Sequence, residues 1–241
     1  MTPSDSNNSG AVRASGGDPK DDTSNGILAA PRQALNQFLA AENWQERLKY
    51  CQEPQKVRPK VEAYYQKAPD GPVAVKAIDF QDTDKAPSGY NFYLFFISTE
   101  NVPEGFPVSV EDSADGFKVD WEAFVEFNDL LLDKFLSDPN SPADFFHVMI
   151  KRKHFFGSDD DPRKSLDSYW VEPPIPGYGG YAFATPSTEI GRTLSEKLPW
   201  ESVSFPILEL EWAKPKGGEP YVKIKSVRQW SFRADSGSGS E

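Results

Sequence analysis

His147 and His154 are the only imidazoles in the chain, and imidazole is the side chain best suited to moving protons near neutral pH. Seven residues apart on an extended segment, they face opposite sides and cannot share a metal ion without a bulge. His147 alternates with Phe145 and Met149 and is the one candidate catalytic residue. The structural alternative is a ring that faces solvent or is hydrogen-bonded in the core. Asn128 lies seven residues after Trp121, inside an apolar stripe. A buried amide must find partners, so Asn128 either lines a pocket and orients a ligand or pairs with backbone at a sheet edge. Asp120 reads as the N-cap of a helix starting at Trp121, with Glu122 and Glu126 reinforcing its acidic start, in preference to a catalytic carboxylate. Tyr93, Asn128, Trp121 and Phe124 are the candidate pocket residues.

Other patterns carry less chemistry. Asp159-Asp160-Asp161 lacks the alternating acids, central glycine and distal glutamate of a calcium loop. Glu111, Asp112, Asp115 and Gly116 read first as a turn. Cys51, the single cysteine, has no histidine near it in sequence, and no Gly-x-Ser-x-Gly elbow occurs. Gly177-Tyr178-Gly179-Gly180 does not open a helix after a strand, so it is only a weak match to a phosphate loop. No metal and no cofactor are expected. Lys151-Arg152-Lys153-His154 is the densest basic run, but on a strand its members alternate between faces and do not form one patch.

The composition narrows the partners. The net charge of -11 argues against a nucleic-acid backbone. One cysteine permits no internal disulfide, no run approaches the roughly 18 apolar residues of a membrane span, and no secretory signal pattern opens the chain. Cytoplasm is the expected compartment.

The elements that must position these residues follow from periodicity. Residues 1–26 and 233–241 are poor in apolar side chains and read as disordered tails, leaving residues 27–232 as a single domain. Pro31 opens a first helix with Leu35, Phe38 and Leu39 on one face. Asn43 caps a second, and Pro54 begins a third. Val73 to Phe80 and Asn91 to Ser98 read as strands, the latter with aromatics on both faces. Phe106, Val108 and Val110 mark another strand. Trp121, Phe124, Val125, Leu131, Leu132, Phe135 and Leu136 recur at helical spacing, predicting one long amphipathic helix. Phe145 to Phe156 is predicted as a long strand, Ser187 as the cap of a helix to Leu198, and 203–212 with 221–232 as a hairpin. Strands joined by turns imply a largely antiparallel sheet with helices on one face, an α+β class.

Phe38-Leu39-Ala40-Ala41 through Trp44 and Leu48, Val57-Arg58-Pro59, Glu62-Ala63-Tyr64-Tyr65 and Val119-Asp120-Trp121-Glu122-Ala123-Phe124 resemble uncharacterised bacterial proteins of the nuclear-transport-factor-2-like, or cystatin-like α+β cone, superfamily. The resemblance implies a curved, mainly antiparallel sheet packed against N-terminal helices and a long helix, in an elaborated form. It departs from the usual pattern in length and in placing a helix after three strands. Some enzymes of that superfamily use a cavity Asp, Tyr or His to move a proton beside a carbonyl, and His147 is the nearest analogue here.

The expected function is a non-catalytic module that binds a small molecule or a protein partner on the concave sheet face, with Tyr93 and Asn128 sharing a cavity. A homodimer through the sheet is compatible with it. The alternatives are an isomerase- or dehydratase-like enzyme using His147, and a scaffold tethered by its disordered tail. The scarcity of histidine weighs against the enzyme. His147 on the outer face, away from any pocket, is the expected placement.

Overall fold

The computed structural model describes residues 22–85, 91–215 and 218–232. The expected tails fall mostly outside them, but the first helix, α1 (Asp22–Ala40), starts before Pro31 and takes in residues 22–26, which the sequence assigns to the tail. Leu28 packs on the adjacent core and carries the helical contact a turn upstream. Helix α2 (Trp44–Arg47) is capped by Asn43, whose Oδ1 accepts the Glu46 amide at 2.9 Å, and α3 (Pro54–Tyr65) opens on its proline.

These helices pack with a four-stranded antiparallel sheet of order β1 (Val75–Lys85), β2 (Asn91–Thr99), β3 (Phe106–Glu111) and β4 (Lys118–Val119). Alternate residues of β2, Tyr93, Phe95 and Ile97, point into a first core with Phe38, Leu39, Phe106 and Phe124.

The predicted long helix is two helices, α4 (Trp121–Asn128) and α5 (Leu131–Ser137). Leu130 adopts a left-handed conformation, φ 52°, between them, which an α-helix of L-residues does not continue through. The break divides the apolar stripe: Trp121, Phe124 and Phe127 enter the first core, whereas Leu132 and Phe135 enter a second.

The second core lies on a six-stranded sheet. Its order is β5 (Asp144–His147), β9 (Ile207–Ala213), β10 (Tyr221–Gln229), β8 (Gly180–Ala184), β7 (Asp167–Glu172) and β6 (Met149–Arg152). All pairings are antiparallel except β8 with β10. The expected hairpin is β9–β10. The expected long strand from Phe145 is divided at Val148: β5 pairs with β9, and β6 with β7. Helix α6 (Glu189–Lys197) is capped by Thr188, one residue after the predicted Ser187, through a 3.1 Å bond from the Gly191 amide. A Cβ at Gly191 would collide with the Thr185 carbonyl, so only glycine fits this first turn.

The class is α+β with mostly antiparallel sheets, as the turn-linked strands indicate. The one curved sheet of the expectation is replaced by two sheets, each with its own core. Among the described residues, no helix is long and apolar enough to cross a membrane.

Candidate functional site

Glu126 on α4 and His147 at the end of β5 meet between the two cores. Both are buried, at 5% and 6% exposure. The His147 amide donates to Oε1 and Oε2 of Glu126 at 2.9 and 3.1 Å, and Nδ1 lies 2.7 Å from Oε2. A carboxylate accepts only, so this contact fixes the proton on Nδ1. Nε2 is left 3.9 Å from Oδ2 of Asp120. Asp120 is also the N-cap of α4, its Oδ1 accepting the Ala123 amide at 3.1 Å.

Strand alternation places His147 on the face opposite Phe146, Val148 and Ile150, which fill the second core. That face is the one the sequence reading expects to be open. Here α4 covers it, so the expected placement away from any pocket is corrected: His147 is enclosed and lines cavities. The largest of these is about 460 Å3, walled by Phe92, Leu94, Phe127, Pro174, Phe205 and Phe232, with Asp120 and His147 among its few polar groups. The His147 ring stands edge-on to Phe232 and Phe127, with centroids 5.3 and 6.1 Å away. Adjoining cavities, both lined by His147 and Arg228, also include Trp121.

Burial disfavours the charged imidazole, but the hydrogen bond and charge of Glu126, with Asp120 and Glu122, outweigh it and hold His147 above its ordinary pKa. Burial lifts the Glu126 carboxyl, opposed by its contacts with His147. The direction that follows from the short contact is a protonated imidazole facing a carboxylate.

Tyr93 and Asn128 do not come together. Tyr93 is buried in the first core, edge-on to Phe117. Asn128 accepts from Thr99 Oγ1 at 3.0 Å and donates to Asp129 Oδ1 at 2.9 Å. Tyr93 and Thr99 lie six residues apart on β2, about 20 Å at strand rise, so the two candidates belong to opposite ends of the sheet. Asn128 shares a different cavity, of about 560 Å3, with Phe124, Tyr64, Tyr65 and Arg47. Arg47 is itself buried and bound to the carbonyls of Phe38 and Ala41 and the hydroxyl of Tyr65, a structural role.

His154 is exposed and stacks on Trp200 at 4.3 Å. The basic run around it is dispersed as alternation predicts: Lys151 pairs with Glu172, Arg152 with Asp167, and Lys153 sits over the Trp170 ring. Cys51 is buried, which pushes its thiol up to about 12 and keeps it from nucleophilic chemistry. Among the described residues, no group of three or more His, Cys, Asp or Glu is placed to hold a metal.

Sequence reasoning missed Glu126 because it reads Glu126, with Glu122, only as reinforcing the acidic start of the helix. The signal lies in Phe124-Val125-Glu126-Phe127: four consecutive buried positions circle the helix, as expected only where a helix is covered on more than one side. Phe205 and Phe232 carry no local signal. No family model, curated protein or solved structure matches the chain.

Proposed function

We propose that this protein binds a small, mainly apolar molecule in the cavity between Phe92, Phe127, Phe205 and Phe232, with Asp120 and His147 as its polar anchors. The observation that carries this reading is an aromatic cavity of ligand size with a few convergent polar groups, the ordinary composition of a small-molecule site. A fragment set screened by ligand-observed NMR tests it. Fragments should bind wild-type protein saturably and lose binding in Ala123→Trp, which fills the cavity from α4. Binding that persists unchanged in the filled variant would place the ligand elsewhere.

A second reading, a proton-transfer enzyme of the isomerase or dehydratase kind, is favoured by the His147–Glu126 contact. A carboxylate on Nδ1 orients the ring and leaves Nε2 as the reactive nitrogen, the arrangement that general acid–base catalysis uses. Its test is exchange of deuterium from solvent into the carbon beside the carbonyl of a bound ketone fragment. His147→Gln should abolish exchange while binding persists. Exchange at the uncatalysed rate in wild type rejects the enzyme.

Kinship with the nuclear-transport-factor-2-like superfamily belongs to the same proposal. Its support is the packing of the three N-terminal helices with the β1–β4 sheet, and an experimental structure in which that sheet wraps these helices as a cone would be its test.

A further inference from the structure

The cavity has a definite electrical character, and it narrows the ligand. Four phenylalanines contribute to its walls, and its lining includes one carboxylate, Asp120. The cavity next to it is lined by Glu53, Glu111, Asp120 and Glu122 against Lys56, Arg228 and His147, with Glu53 paired to Lys56 and Glu122 to Lys60, so this neighbourhood adds no excess of positive charge. Lys56 is engaged with Glu53 at 2.7 Å, and the Arg228 guanidinium lies 3.6 Å from the centre of the Phe145 ring. His147 does not reverse the sign. Its imidazolium faces two carboxylates, Glu126 at 2.7 Å and Asp120 at 3.9 Å, so the three groups together leave one negative charge in excess at the cavity wall. Asp120 Oδ1 is committed to the Ala123 amide, whereas Oδ2 lies 3.9 Å from His147 Nε2, beyond hydrogen-bond reach.

An excess of carboxylate charge beside several aromatic rings is the combination that recognises an organic ammonium: the carboxylate pairs with the charge, and the ring faces attract the polarised carbons around it. A carboxylate-bearing ligand would meet Asp120 as a like charge, and a neutral alcohol could offer it a hydrogen bond but no opposite charge.

Resting on the small-molecule reading above, we propose that the ligand is a hydrophobic or aromatic primary amine, bound with its ammonium on Asp120 Oδ2 and its apolar body among Phe92, Phe127, Phe205 and Phe232. The probes are three near-isosteric molecules, 2-phenylethylamine, 2-phenylethanol and phenylacetate, titrated into the full chain by calorimetry at neutral pH. The amine should bind at least about tenfold more tightly than the alcohol, about 1.4 kcal/mol, and phenylacetate should bind more weakly than either. Asp120→Asn keeps a good helix cap, so the variant folds and should lose the amine preference while still binding the alcohol. A preference for phenylacetate, equal affinity for amine and alcohol, or an amine preference untouched in Asp120→Asn each overturns the proposal. In those cases loss of binding in Ala123→Trp still upholds the cavity as a ligand site. Failure of all three probes to bind removes the cavity reading and this proposal together.

Discussion

The two histidines sit in opposite settings. His147 is enclosed between two cores, held by a carboxylate through its ring and its own amide, and set against an aromatic cavity. His154 lies on the surface, stacked on the half-exposed Trp200 beside arginines and lysines that already have acidic partners. The difference teaches that aromatic and charged neighbours alone do not make a site. Around His154 the charges neutralise one another in solvent, where ion pairs contribute little. Around His147 they are few, buried and unequal, which is where a perturbed pKa points toward function.

That contrast is open to measurement. Glu126→Ala should cost about 3–5 kcal/mol in denaturant unfolding, because it leaves the imidazolium and amide of His147 buried without their acceptor. A cost under about 1 kcal/mol would mean that water enters the seam and that the two settings are alike. Phe135→Ala, a cavity-forming change in the second core, should fall in the same range of about 3–5 kcal/mol and provides the scale for a purely apolar loss.

The pH dependence comes next. His147 is raised above its ordinary value in the folded protein, so the folded state binds its proton more tightly than the unfolded chain does. Stability from this group is therefore complete below the unfolded value of about 6.5 and falls as pH rises through the raised folded value. Glu126, also raised by burial, acts with the same sign in its own, lower range. Unfolding curves between these limits should show stability falling with pH in wild type, with the slope above about 6.5 removed in His147→Gln. An unchanged slope in the variant would assign the effect to other groups.

Smaller effects mark the other side. Asp120→Ala should cost about 0.5–2 kcal/mol through the lost cap. His154→Ala and Trp200→Ala should each stay within about 0.5 kcal/mol, the usual range for surface changes. A loss of 2 kcal/mol at either surface position would show that the stacked pair supports the loop between α6 and β9, and the contrast would narrow.

The sequence showed which elements exist better than where they stop. Asn43, Pro54 and Asp120 start helices where their chemistry predicts, and the alternation in β2 and β3 identifies the inward residues. The break at Leu130 was hidden because Asn128-Asp129-Leu130 contains neither glycine nor proline and the apolar stripe keeps its phase across it. The site was legible only in part. His147 could be singled out from residue type, but its partner is 21 positions away on an element of different period, and no local pattern links the two. Tyr93 and Asn128 would share a cavity only if the end of α4 lay over Tyr93; Asn128 instead meets Thr99, at the far end of the same strand.

The bond from the His147 amide to Glu126 has a consequence unrelated to ligands. β5 lies at one end of the strand order, and an end strand whose outward amides are bare invites a strand from another chain. Here the last outward N–H of β5 is occupied by both oxygens of a buried carboxylate from α4. A foreign strand would have to displace Glu126 before it could add to this end, so the same contact that orients the imidazole also guards the β5 edge against edge-to-edge pairing.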